Sequence, residues 1–359
     1  MNKLVVLILI VTCRQFLVDA QDTIKSLPQV IVNSSTKKNS ELSTQEINRE
    51  DILRIQPQDV GVVLQKVSGT SMKSYGGLGG MKTISIRGLG GQHTAVIVDD
   101  FFLGNTQNGQ LNLASVQTDN IEKLALNNGA KTNNLLPVSA YVYGSVITIS
   151  TFENNFGSKL YQTRFSSKIG SFGEVDNYLS FKVSKSKLFL SAFGKYRQAN
   201  GKYAYTLNNG KTIYSGIREN NDFKDWYSGV SLGYLVNNKS QFRLIYRNSG
   251  SDQGLPGPII LYNSLSNQRL TSQLNILNCD FKSQFKSIYF RLFYAFQNDE
   301  IHYSDPSFLN QTGGIESTYQ NTIHQTGLSF SKNWNSYFHL YGGLDTKISK
   351  LDFNTEVNR

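Results

Sequence analysis

From about position 156 the chain alternates. In "LYQTRFSSKIG", Tyr161, Thr163, Phe165 and Ile169 fall on one side and Gln162, Arg164, Ser166 and Lys168 on the other. "SIYFRLFYAFQ" puts Ile288, Phe290, Leu292, Tyr294 and Phe296 on one face, and "WYSGVSLGYLV" does the same with Trp226, Val230, Leu232, Tyr234 and Val236. "QFRLIYR" sets Phe242, Leu244 and Tyr246 opposite Gln241, Arg243 and Arg247. Period-two segments of about ten residues, apolar outward and polar inward, are the pattern of strands that cross a membrane as a barrel.

The connections carry a second pattern. "SKSK" near 184–187, "NNKS" near 237–240, "KSQFKS" near 282–287 and "KNWNS" near 332–336 are short, while 199–224, 249–270 and 298–321 are long. Membrane barrels place short turns on the periplasmic side and long loops outside. A soluble β-sandwich also alternates its faces, but has no reason to gather its long loops at one end.

The first half reads differently. "MNKLVVLILIVTCRQFLVDAQD" has a Lys, an apolar run too short to span a bilayer and a small-residue exit at Ala20, so residues 1–20 are expected to be a cleaved secretory signal. A lipoprotein reading of Cys13 is weakened by its neighbours Thr12 and Arg14. Residues 21–45 are a polar periplasmic tail with one apolar patch, 27–32. Residues 46–152 form a small mixed region: two short helical pieces flank Pro57, and strands are predicted at 83–87, 94–99, 121–126 and 146–151. Residues 153–359 hold the alternating strands, about nine or ten of them.

Composition narrows the chemistry. After signal cleavage only Cys279 remains, which excludes an intramolecular disulfide, and the four His are scattered without zinc spacing. The net charge of +10 is spread singly along the chain, so no nucleic-acid partner is expected. "TISIRGLGGQHTAVIVDD" offers glycines beside a strand, yet His93 stands where a dinucleotide motif needs its third glycine, and a strand follows instead of a helix. No P-loop occurs. Asp99 and Asp100, adjacent at a strand end, are expected to point to opposite faces and make a poor acid–base pair. Neither an enzyme nor a cofactor is indicated, and the glycines are expected to form tight turns.

These motifs carry a resemblance. "ISIRGLGGQHTAVIVDD" is similar to the plug motif of TonB-dependent outer-membrane receptors, an "IRG…VLVDG" pattern matched here by Ile86, Arg87, Gly88, Val98 and Asp99, with Asp100 in place of the usual glycine. "NGQLNLASVQTDNIEKLAL" and "SAYVYGSVITIST" resemble later plug segments. Asn128-Gly129-Ala130 departs from the family's "RGP", and the fit is nearer to the cobalamin- and siderophore-receptor branch with its Bacteroidetes-type relatives. "DQGLPGP", from Asp252 to Pro258, also resembles a receptor loop.

The resemblance implies a mixed α/β plug domain followed by an antiparallel transmembrane β-barrel. The chain holds about nine or ten of an expected 22 or so strands. It ends without a terminal aromatic strand and is expected to be part of a longer product, since an open edge in lipid is very unfavourable. It implies import of a scarce nutrient, cobalamin-like or a metal chelate, across a Gram-negative outer membrane and in contact with its lipid. The energy would come from TonB and its inner-membrane complex.

The candidate TonB box is Leu27, Pro28, Gln29, Val30, Ile31 and Val32, an extended patch suited to strand addition; a first plug strand or a linker is the alternative. In the plug motif, Arg87, Gly88, Gly90, Gly91 and Asp99 are singled out, with Arg87 expected to be buried against the wall or plug core and held by carboxylates, Asp99 among them. Tyr203, Tyr205, Tyr214, Tyr262 and Asp252 are loop candidates for ligand contact. Asp252, Glu300 and Asp305 are candidates for a loop calcium. The competing reading is a truncated or non-transporting surface β-barrel that binds or adheres; a glycan importer is disfavoured by the short tail.

Overall fold

A computed structural model describes residues 44–75, 80–106, 109–128, 135–151, 160–208, 210–259, 266–307, 313–334 and 338–358. The expected signal, the 27–32 segment and Tyr262 lie outside them.

Strand β1 (Thr44–Asn48) opens the described chain and runs into helix α1 (Arg49–Ile55), with Glu50 and Asp51 in its first turn. The helix stops where Gln56 turns left-handed before Pro57. Helix α2 (Val60–Leu64) starts at Asp59, whose side chain accepts from the Val62 N–H at 3.2 Å. Then follow β2 (Thr70–Tyr75), β3 (Met81–Ile86), β4 (Thr94–Val98), β5 (Phe101–Leu103), β6 (Lys123–Asn128) and β7 (Ser145–Ser150). β2 and β3 form a separate ribbon.

The other five make one sheet in the order β1-β6-β7-β4-β5, with β4 and β7 parallel. β1 falls partly inside the expected polar tail. Its "TQEIN" is too short and too polar to read as a strand, and only pairing with β6 makes it one.

Central β4, "TAVIV", is buried on both faces. Val96 and Val98 join Ile147, Ile149, Leu124 and the apolar faces of α1 and α2, whereas Ala95 and Ile97 pack with Leu136, Ala140 and Val146 behind the sheet. This domain therefore has a hydrophobic core of its own.

The remaining strands are β8 (Leu160–Ile169), β9 (Val175–Lys185), β10 (Leu188–Ala199), a small hairpin of β11 (Tyr203–Asn208) and β12 (Ile213–Arg218), then β13 (Phe223–Asn237), β14 (Ser240–Leu255), β15 (Gln268–Phe285), β16 (Ile288–Asp305), β17 (Gly314–Asn333) and β18 (His339–Asn358). Apart from the hairpin they form one nine-stranded antiparallel meander from β8 to β18. The alternation assigned from sequence holds: Trp226, Val230, Leu232, Tyr234 and Val236 are exposed outward, as are Phe242, Leu292 and Tyr294.

Eight steps from Ile288 to Phe296 cover roughly 26 Å along the strand, or about 20 Å of height at the usual tilt of ~40°, close to the apolar band of about 25 Å that such barrels present. No described helix is long and apolar enough to cross a membrane, which bears only on helices.

Two expectations need correction. The connection expected over 298–321 is mostly strand, and that over 249–270 is strand at both ends, because β14 to β17 run far past the apolar band as a polar ladder. Sequence-level polarity resembles a loop there, but cross-strand pairing satisfies the backbone. Asp252, Glu300 and Asp305 consequently lie on strands. The inward face is also less wet than expected, since Phe189, Ile245 and Phe293 are buried on it.

If the first domain holds itself together, Ile147→Ala, at a fully buried position, should cost about 2–5 kcal/mol. The drop would appear as a lower urea midpoint for loss of residues 44–151 in pulse proteolysis, with the wall strands still protected.

Candidate functional site: the interface between plug and wall

Two tight turns shape the edge of the inner domain. Arg87 and Gly88, at φ 51° and 82°, close a two-residue turn in which the Ile86 and Leu89 backbones exchange hydrogen bonds at 3.0 and 3.1 Å. Asp99 and Asp100, at φ 51° and 74°, close the β4–β5 hairpin between Val98 and Phe101. Positive φ at both central residues suits the right-handed twist of a hairpin, and Asp is among the few non-Gly residues that tolerate it. This explains how Asp100 stands where the motif usually has glycine. Gly90 and Gly91 show no positive φ; Gly91 begins a short 3-10 turn.

The hairpin turn brings both carboxylates to the wall, so the expectation that they diverge to opposite faces is corrected: at a turn, strand alternation no longer applies. Asp99 accepts from the Thr151 N–H and hydroxyl, each at 2.7 Å, and pairs with Arg247 on β14. Asp100 accepts from Lys282 Nζ on β15 at 2.5 Å and from Arg243 Nη2 on β14 at 2.9 Å.

Cross-strand register builds the rest. Arg243 stands opposite Asp280, and Lys282 opposite Arg291 on β16. Arg243 grips Asp280 through two bonds of 2.7 and 2.6 Å, and Arg291 donates to Asp280 at 2.8 Å and to the Asp100 carbonyl at 2.8 Å. Arg291 is fully buried, its guanidinium over the rings of Phe101 and Phe293 at 4.6 and 4.5 Å. Burial alone would raise the Asp100 carboxyl, but Lys282 and Arg243 outweigh it and hold it well below the usual carboxylate range.

Every wall strand reaches the inner domain. Arg164 on β8 donates to the Asp119 carbonyl at 3.3 Å, Lys182 on β9 holds Glu122 at 2.5 Å, and Lys195 on β10 holds Asp119 at 2.5 Å. Tyr227 on β13 donates to the Ala114 carbonyl at 3.5 Å. Gln297 on β16 clasps both backbone groups of Gly104, at 2.7 and 3.2 Å. Ser329 on β17 bonds the Leu136 carbonyl at 3.0 Å, and Asp345 on β18 takes the Ser139 N–H and hydroxyl at 3.1 and 2.6 Å.

In the ion pairs across this interface the inner domain supplies the carboxylates and the wall the cations. Apolar contact is smaller: Phe101 clusters with Ile245, Phe293 and Ala295, and Ile276 on β15 packs against the main core of the inner domain. A cavity of about 80 Å³ lies beside it, bordered by Val98, Leu274 and Ile276.

The other predicted residues separate from this site. Arg87 is exposed, not buried, and its N–H donates to the Gly69 carbonyl at 2.8 Å. The carboxylate of Asp99 serves Arg247 and Thr151. Tyr205 and Tyr214 face each other on the β11–β12 hairpin with ring centres 6.2 Å apart, and Tyr203 lies against Phe172. Asp252 is bonded by Arg269 at 2.6 Å, and Asp305 by Gln268 at 2.9 Å. Asp252, Glu300 and Asp305, the loop-calcium candidates, are not gathered into one group: no cluster of three potential metal ligands occurs among the described residues. The sequence reading missed Asp100, Lys282, Asp280 and Arg291; charged residues at inward strand positions were the available signal.

A domain with its own core, ringed on one side by barrel strands and tied to them by charge, has the architecture of a plug within a β-barrel. Residues 36–135 match the family model of the TonB-dependent Receptor Plug Domain. Residues 36–135 thus match the plug of the TonB-dependent receptors, and the strands that follow have the fold of part of a barrel.

Solved structures with this fold include the copper transporter OprC, at 15% identity and a TM-score of 0.69 over 89% of this chain and 48% of that one. The ferripyoverdine receptor of the Pseudomonas aeruginosa outer membrane is 9% identical, with a TM-score of 0.64 over 88% of this chain and 43% of that one. The ferric yersiniabactin uptake receptor FyuA from Yersinia pestis is 10% identical, with a TM-score of 0.57 over 89% and 61%. What is shared at these identities is the fold. The chain spans about half the length of the structures it matches.

Asp100→Asn should leave three wall cations facing a neutral amide and cost about 3–5 kcal/mol, read as faster hydrogen exchange over 94–103 with little change in the barrel strands. The pH sign follows from the lowered carboxyl. Its contribution is complete above the unfolded value of about 3.9 and fades only as pH falls towards the native one. Plug protection should therefore be level from about pH 5 to 8 and decline in strong acid, with a smaller decline in Asp100→Asn.

Proposed function

We propose that this chain forms the plug and adjoining barrel strands of an outer-membrane receptor that imports a scarce nutrient, a cobalamin-like or metal-chelate ligand, with energy drawn from TonB and its inner-membrane complex. The observation that carries the reading is the division of forces. The plug's apolar core is internal, and its hold on the wall is mainly ionic and hydrogen-bonded. Such a plug can shift or partly detach without losing its own fold, because ion pairs released into a wet lumen are rehydrated whereas an exposed apolar core is not. The similar structures that transport copper or take up ferric yersiniabactin support a metal-containing cargo.

In this reading residues 27–32 add as a strand to TonB. Pull arrives along the polar segment that leads into β1, an edge strand of the plug sheet paired on one side only, with β6. Ligand is met first by the outer connections, where the β11–β12 hairpin offers Tyr203 and Tyr214 exposed and Tyr205 half-buried.

Deleting residues 27–32 should abolish accumulation of radiolabelled cyanocobalamin or of a radioiron siderophore, while binding of the same ligand to intact cells persists. Unchanged accumulation would overturn the TonB assignment, and surface binding without any accumulation in the parent protein would favour the adhesion reading. Replacing Tyr205 and Tyr214 together by Ala should weaken that cell-surface binding by roughly tenfold, the loss of about 1.4 kcal/mol of stacking.

A further inference from the structure

The outer face of the wall does not become featureless above its apolar band. Asn248, Asn275 and Asn298 stand directly opposite one another on β14, β15 and β16, and Thr322 continues the row on β17. Asn248 donates to Asn275 at 2.8 Å, and Thr322 to Asn298 at 3.2 Å. This uncharged row begins where the apolar positions end, just past Tyr246 and Phe296.

Immediately beyond it lies a groove of about 380 Å³. Tyr196 and Trp226 border it from opposite positions on β10 and β13. The indole lies against the bare backbone of Gly250, where any side chain would collide with it, and at nearby Gly194 a Cβ would meet nothing within 4 Å. Glycine at position 250 thus lets the indole lie close against the wall beside the Tyr196 ring. Its rim carries Lys224, Thr271, Gln273, Glu300 and His302.

We propose that this groove holds the saccharide headgroup of an outer-leaflet glycolipid. An aromatic floor presents flat, partly apolar faces to the C–H side of a sugar ring, while amides, hydroxyls and an imidazole serve its hydroxyls. Acidic and basic groups are mixed on the rim, and nearby Arg269 is already occupied by Asp222 and Asp252 at 3.0 and 2.6 Å. That balance suits the hydroxyls of a sugar ring, and the anionic groups of such a lipid are not assigned to this groove. The groove is continuous with the surface that faces acyl chains, so a lipid seated along that surface brings its headgroup to this height. The inference rests on the outer-membrane placement proposed above, and goes beyond it by assigning a lipid class to residues that take no part in import.

The test uses the protein in detergent, with Trp334→Phe introduced so that Trp226 alone reports. Rough lipopolysaccharide should shift its emission saturably, and phosphatidylglycerol micelles should not. Gln273→Ala with His302→Ala, which keeps the indole, should weaken the lipopolysaccharide response about tenfold. Native mass spectrometry of Trp226→Leu should show loss of co-purified glycolipid, and heat-modifiable gel migration checks that each barrel is folded. Equal responses to both lipids, or an unchanged affinity in the folded double variant, would overturn the inference. Fractionation of the protein away from the outer membrane would overturn the placement and the groove together, whereas failure of the groove alone would leave ligand accumulation intact.

Discussion

The fully buried guanidinium of Arg291 cannot stand alone. Desolvating a cation costs several kcal/mol unless charge and hydrogen bonds return it, and here they come from Asp280 on the neighbouring strand and from the backbone of a plug turn. Arg243 repeats the arrangement one strand further on, with Asp280 on one side and Asp100 on the other. The wall is thus complete electrostatically only when the β4–β5 turn is seated. That single demand fixes the height of the plug, the rotation of its sheet and the identity of the strands it faces.

Seating by charge has a structural consequence. A plug joined to the wall by a continuous apolar core would be a second half of one domain, and moving it would expose large apolar area. This plug keeps most of its apolar residues in two clusters around its own sheet and meets the wall mainly with carboxylates, carbonyls and hydroxyls, Phe101 being the chief apolar exception. The interface is therefore specific in position and still separable, the combination that a gated lumen requires.

Much of the architecture was legible in the chain. Period-two alternation located the wall strands and their faces, because every strand there has lipid-type surface on one side and plug or lumen on the other, so Trp226, Leu232 and Phe242 could only point outward. Short connections such as "NNKS" identified the turn end. The limits of the strands were not legible, since above the apolar band both faces turn polar and the alternation disappears. That is why Asp252, Glu300 and Asp305 read as loop residues although the ladder runs through them.

The site was legible only in part. Sequence picks out Asp99 by its motif, but Arg87 beside it reads as a buried partner when the structure exposes it at the crown of a turn. By itself the sequence determined the order of plug and wall and the outward faces of the wall strands, properties of local spacing and residue type. Tertiary structure alone decided which charges meet. Asp100 lies more than a hundred residues from Arg243, Lys282 and Arg291 along the chain, and no local rule pairs them. Their meeting depends on the left-handed turn that swings both aspartates to one side and on the strand register that stacks Arg243 against Asp280.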